Sequence, residues 1–327
     1  SIDGGGEVTL RQASLSAPLF GEAKAKVSGR IGQLNIATGN WKTDLDLKLD
    51  GSTGQAGDVA NRLGLDTPFL RTLKLAARVT GDTEQFALSD IDIESETVHS
   101  AILQARGSIA QVTPTNSGMR AKGLDLLLQA TSPNTGWITK WLAIPAPELG
   151  AARATVRATG NLEKIQFEAL DLATTMEDMI ATRITGTLGQ VNLSDGERRL
   201  KTINLSVEGD VQTAAALTHL LGRKAPLIEG LRMSGLLTGD SARITLGGIE
   251  ISGAGEAGLS FNATGSVQDL LARKGVEISV NSMVDPALLA GLADAGTLGK
   301  IRTKARLTDQ DGSLGLEALQ AQTEGSD

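Results

Sequence analysis

The stretch LRTLKLAARVTGDTEQFALSDIDIES, Leu70–Ser95, decides the fold class. In its first half Leu73, Leu75, Ala77 and Val79 alternate with Lys74, Ala76 and Arg78, the period-two pattern of a strand with one apolar and one wet face. Gly81-Asp82 then breaks the run, as turn residues do, and a second strand starts at Phe86. This second strand changes phase: Phe86 and Leu88 fall in one register, Ile91 and Ile93 in the other. A slip of one residue would turn the later side chains to the wrong face, so a β-bulge between Leu88 and Ile91 is expected.

The same pattern recurs along the chain. Four segments align, AKVSGRIGQL (25–34), LQARGSIAQV (103–112), TRITGTLGQV (182–191) and FNATGSVQDL (261–270), with their glycines Gly29, Gly107, Gly186 and Gly265 spaced 78, 79 and 79 residues apart. Gly81, Gly160 and Gly239 are spaced by 79, and so are Pro68, Pro147 and Pro226. The phase slip returns at Leu10/Ala13, Phe167/Leu170 and Leu246/Ile249. The chain therefore reads as one repeat array: a partial copy over 1–40, copies over 41–119, 120–198 and 199–271, and a partial copy over 272–327. Each copy is expected to hold about four strands and one short helix. The helix is marked by apolar pairs four apart, Val59/Leu63, Ile138/Leu142, Leu217/Leu221 and Leu288/Leu292.

Composition narrows the function. Apolar residues make up 40% of the 327 and charged residues 21%, which suits a folded chain. Aromatics are only 2%, so the apolar surface is aliphatic. The absence of cysteine excludes a disulfide framework, a zinc ribbon and thiol catalysis. A net charge of −7 disfavours a nucleic-acid partner. The chain opens Ser1-Ile2-Asp3 without a leader-like run and reads as a piece of something longer.

Short hairpin-length links imply antiparallel neighbours, and one apolar face per strand must go somewhere. About sixteen strands at ~4.8 Å each make a sheet far wider than four short helices can cover. An apolar strip of that size marks an interaction surface, and bulges favour a curled sheet. The expected fold is mainly β: an elongated, twisted antiparallel β-groove, an open solenoid-like trough with a polar outside. Its aliphatic floor would be Leu45, Leu47, Leu49, Leu75, Val79, Leu103, Leu124, Leu126, Leu128 and Val156, continued by Ile184, Leu205, Val207, Met233, Leu237, Leu259, Phe261, Val267 and Ile278. Small residues in the fourth-strand column, the glycines among them, are expected to leave room for a guest, and the natural guest is an acyl chain. A scaffold or stalk whose apolar core is sealed, and which presents partner proteins, is the alternative.

Other motifs favour bland readings. Gly253-Ala-Gly255-Glu-Ala-Gly258 has dinucleotide-loop spacing but lies between two strands, where glycines make a hairpin. Gly4-Gly5-Gly6 is likewise expected in a turn. His99 and His219 sit in different elements with no cysteine partner, so no metal site is expected. Asp90, Asp92 and Glu94 alternate with Ile91 and Ile93 and belong to a solvated face rather than a calcium site. Trp137 and Trp141, four apart, fit a helix packed on the sheet rim. No catalytic triad or carboxylate pair stands out, so no enzyme and no cofactor are expected.

Gly64-Leu-Asp-Thr-Pro followed by LRTLKLAARVTGD and FALSDIDIES, and the copy from Ile144-Pro-Ala-Pro-Glu-Leu-Gly-Ala through ARATVRATGN and IQFEALDLAT, resemble the repeating unit of the AsmA-like and TamB-type proteins. The likeness covers essentially the whole chain through a loose pattern. It implies a bridge-like lipid-transfer protein of the periplasm, anchored in the inner membrane through segments outside this chain. Its cargo would be phospholipid moving toward the outer membrane, with envelope proteins as partners at its ends.

Overall fold

The computed structural model describes residues 2–3, 7–18, 23–35, 44–58, 69–115, 118–137, 150–161, 164–176, 179–191, 200–213, 215–216, 228–255, 258–285, 299–309 and 313–323. The protein is mainly β, with antiparallel strands in chain order. Two compact units divide it. One comprises Ser1–Pro133, Arg153–Ala169 and Gln190–Arg198, the other Asn134–Ala152, Leu170–Gly189 and Arg199–Asp327.

In the first unit the strands are β1 (Ile2–Asp3), β2 (Glu7–Pro18), β3 (Lys24–Asn35), β4 (Leu45–Thr53), β5 (Leu70–Gly81), β6 (Phe86–Thr97), β7 (Ile102–Thr115) and β8 (Gly118–Ser132). Each pairs antiparallel with the next. Then come β9 (Ala151–Asn161), most of it in this unit, β10 (Lys164–Met176), whose first half belongs here, and β11 (Ile180–Val191), most of it in the second unit. The second unit continues with β12 (Leu200–Val211), β13 (Ile228–Gly239), β14 (Ile244–Gly255), β15 (Ser260–Asp269), β16 (Lys274–Val284), β17 (Ile301–Thr308) and β18 (Gly315–Thr323). These too pair consecutively and antiparallel.

The alternation read from Leu70–Ser95 has the expected outcome. Register sets Gly29, Leu47, Val79, Leu88, Ile109 and Leu124 in one row across β3–β8. Leu75, Ile93, Ala105 and Leu128 form another, four residues along in β5, β7 and β8. The second unit repeats the device, with Leu205, Leu237, Leu246, Val267 and Val276 in one row of β12–β16.

The bulges fall where the phase slips. Register shifts occur between Leu10 and Ala13 in β2, Leu88 and Ile91 in β6, and Leu246 and Ile249 in β14. The inserted residue adopts the left-handed region, with φ of 50° at Asp90 and 56° at Gly248, and Ala169 does the same at 51°. The extra residue absorbs the slip, so Ile91 and Ile93 rejoin the apolar face.

Tight hairpins are closed by a carboxylate or amide that accepts backbone N–H groups, as such side chains do in turns. Asp82 Oδ1 accepts from Glu84 N at 2.8 Å and Gln85 N at 2.7 Å, Asn161 Oδ1 from Lys164 N at 2.8 Å, and Asp240 Oδ1 from Ala242 N at 2.8 Å. Helical turns are described at 56–58, 136–137 and 215–216. Thr213 Oγ1 caps the last of these by accepting from Ala216 N at 3.2 Å. Ala56 and Ala216 are buried against their sheets. The apolar pairs expected to continue these helices, with Pro68, Pro147, Pro226, Trp141, His219 and Gly4–Gly6, lie outside the described residues.

Candidate functional site

The two faces of each sheet differ in chemistry. On the wet face, cross-strand charges pair. Arg78 donates from Nε to Asp46 Oδ1 at 2.8 Å and from its terminal nitrogen to Oδ2 at 3.0 Å, and Arg157 grips Asp125 by two bonds of 2.7 Å. Arg183 holds Asp171 in the same two-pronged way. Lys74 bonds Glu94 at 3.0 Å, Arg106 bonds Asp92 at 3.1 Å, and Arg71 pairs with Glu96. The arginine hydrogen bonds hold the carboxyls of Asp46, Asp125 and Asp171 below the usual carboxylate range, and Lys74 does so for Glu94.

A depression on this face, among Lys24, Lys26, Asp50, Lys74, Asp92, Glu94 and Arg106, is crossed by two of those pairs. Asp92 and Glu94 are thus engaged by cations, and Asp90 lies on the exposed side of the bulge. Among the described residues no three His, Asp or Glu side chains come together as a metal site would require. His99 sits in the exposed turn after β6. Gly253 and Gly255 end β14, and Gly255 N donates to Leu259 O at 2.8 Å in the link to β15, which is a hairpin and not the mouth of a helix.

The other face is aliphatic. In the first unit Leu45, Leu47, Leu49, Leu75, Leu103, Leu126, Leu128 and Val156 are half-buried, while Val79 and Leu124 are buried. In the second, Ile184, Leu205, Val207, Leu237, Leu259, Phe261 and Ile278 are half-buried, Val267 is buried, and Met233 is 43% exposed. Leu124 packs with Ala158 and Ile165, flanked by Ile109, Leu126, Leu128 and Phe167. In the second unit Ile180, Val211, Ala216 and Ile228 cluster, with Met176, Leu259 and Phe261 against them.

A core sealed by a second layer leaves such residues nearly inaccessible. Here most of the Leu, Ile and Val of these rows keep part of their surface open, and among the described residues only hairpin turns, short links and single helical turns lie outside the strands. The bulges bring Ile91, Ile93, Ile249 and Ile251 onto the apolar face beside Leu88, although strict alternation counted from the start of each strand would misplace all four.

The fourth-strand glycines have a reason of their own to lack a side chain. A Cβ built on Gly29, Gly107, Gly186 or Gly265 would collide with the carbonyl oxygen of Asp46, Asp125, Asn204 or Glu277 on the adjoining strand. Glycine is required there by backbone approach, and Gly29 and Gly107 both take φ of 147°. Spacing marks these positions, and the carbonyl of the neighbouring strand supplies the reason.

Set beside protein-family models, characterised proteins and solved structures, the chain matches none of them.

Proposed function

We propose that the protein is a non-enzymatic phospholipid conduit, in which acyl chains lie against the aliphatic rows while the charged face stays in water. The observation that carries this is the half-open state of a continuous aliphatic face in each unit. Burying apolar area releases about 25 cal/mol per Å². A face of Leu, Ile and Val rows with few aromatics or polar groups offers that gain without a shaped pocket to trap one lipid.

The reading includes the 79-residue repeat. In support, left-handed bulge residues recur at Asp90, Ala169 and Gly248, and hairpin-closing side chains at Asp82, Asn161 and Asp240, each 79 apart. The clamp Asp46–Arg78 likewise returns as Asp125–Arg157. On this reading the strands form a trough like that of the AsmA-like and TamB-type proteins. The chain would act in the periplasm between inner and outer membranes, with envelope proteins at its ends and no cofactor beyond the lipid it carries.

Native mass spectrometry of the chain purified without detergent is expected to find phospholipid bound. Photocrosslinkers at Leu126, Leu205 and Phe261 are expected to capture lipid in cells. A lipid-free protein whose crosslinkers capture only protein would replace the conduit with a scaffold whose apolar face is sealed by a partner.

A further inference from the structure

The turn between β15 and β16 differs in chemistry from the other tight turns described. The turn after Gly81 reads Asp82-Thr83-Glu84-Gln85, and the one after Gly239 reads Asp240-Ser241-Ala242-Arg243. By contrast, the turn after Asp269 reads Leu270-Leu271-Ala272-Arg273 and runs into Lys274. Leu270 is 40% and Leu271 56% exposed, two large aliphatic side chains side by side at a tip facing water.

The neighbouring carboxylates are turned onto backbone amides. Asp269, opposite Lys274 in the ladder, accepts from Ala272 N at 2.9 Å, and Asp309 accepts from Gly275 N at 2.6 Å and Val276 N at 3.0 Å. Among the described residues no ion pair engages Arg273 or Lys274. Arg243, on the adjacent turn, is drawn in by a hydrogen bond from Nε to Gln268 O at 3.3 Å. The tip is also fixed in place, because Leu270 N donates to Ile244 O at 2.7 Å. A rigid tip thus presents two leucines flanked by three cations, in a chain of net charge −7.

We propose that this turn docks on the surface of an anionic phospholipid bilayer, with Leu270 and Leu271 entering the headgroup boundary and Arg243, Arg273 and Lys274 meeting lipid phosphates. Apolar insertion and basic attraction together are what peripheral membrane contact requires, since either alone is marginal. The docking is independent of the conduit reading, because none of these side chains lies in the aliphatic rows.

Flotation of the 327-residue chain with vesicles tests it. The chain is expected to float with phosphatidylcholine vesicles containing about a third phosphatidylglycerol, and roughly tenfold less with phosphatidylcholine alone. L270S/L271S and R273Q/K274Q are each expected to lower binding by about tenfold. L127S, at a leucine 42% exposed in mid-strand on the charged face of β8, is expected to bind like the parent. Unaltered thermal melts establish that the variants fold. As a second readout, the fluorescence of L271W is expected to shift to the blue on anionic vesicles. Parental binding by either turn variant, indifference to the anionic lipid, or an unshifted tryptophan overturns the proposal. So does binding to soluble polyglutamate with the same residue dependence, which would mark an acidic protein as the partner.

Discussion

The two units share their apolar rows, and the second has a two-pronged grip of its own at Arg183–Asp171, but one clamp of the first has no counterpart there. In the first, Asp46–Arg78 and Asp125–Arg157 tie neighbouring strands by paired hydrogen bonds. A further step of 79 residues leads to Asn204 and Leu236 in the second unit, where no such bond can form and Leu236 is left 44% exposed on the wet face. Yet β12 and β13 keep an unbroken register from Ile203↔Gly239 to Val211↔Leu231. Ladder hydrogen bonds, aliphatic rows and the single-bond pair of Arg232 with Asp210 hold these strands without that clamp. The clamps are an addition at the surface, where ion pairs contribute little.

The largest effect should come from what the units have in common. Gly107→Val and Gly186→Val each push a branched side chain into a strand carbonyl, and each is expected to abolish the cooperative thermal melt of its own unit. A variant that melts like the parent would mean that the close approach is not essential.

Next come the aliphatic rows. Leu126→Glu and Leu205→Glu place a carboxylate on the half-open face of either unit and are expected to strip bound phospholipid, measured by mass spectrometry, at a stability cost of about 1–3 kcal/mol. Similar losses in both units would extend their likeness to function, and lipid lost from only one would break it.

Acid should separate the units more gently. Carboxyls held below their ordinary range stabilise the fold above the unfolded value, and that contribution fades as pH falls through the folded one. Asp46, Glu94 and Asp125 are of this kind in the first unit, with Asp171 and Asp240 in the second. Hydrogen-exchange protection, corrected for the intrinsic rate at each pH, is expected to be flat down to about pH 5 and then to fall below about pH 4, earlier in β4–β8 than in β12–β16. Equal onset would remove the clamps from the account.

The smallest change is expected from moving the clamp. N204D/L236R should raise the melting temperature slightly, and D46N/R78A should lower it slightly. Large shifts in either would show that the arginine grip does more than decorate the surface.

Much of this was legible in the residues. The alternation at Leu45–Asp50 and Leu73–Val79 gives strands with one apolar side, and the slip between Leu88 and Ile91 gives a bulge, because side-chain direction is fixed by counting along the backbone. What depends on the neighbouring strand was not legible. Gly107 reads only as a small residue until the carbonyl of Asp125 lies against it. Arg78 could have paired with several acids, and the register settles on Asp46. Leu270 and Leu271 look like core residues in a tally and become exposed only because the chain turns there.

One contact has consequences for assembly. Across the ladder, the residue that ends the bulge in β2, β6 and β14 stands opposite a close-contact glycine: Ala13 opposite Gly29, Ile91 opposite Gly107, Ile249 opposite Gly265. A sheet grown strand by strand accumulates errors of alignment, since each new strand can settle two residues high or low and still bury its leucines. A bulge on one side of the glycine and a close carbonyl on the other restrict that freedom. They act as a detent that resets the alignment before the next strands are laid down, so a mistake in one hairpin is not inherited by those that follow.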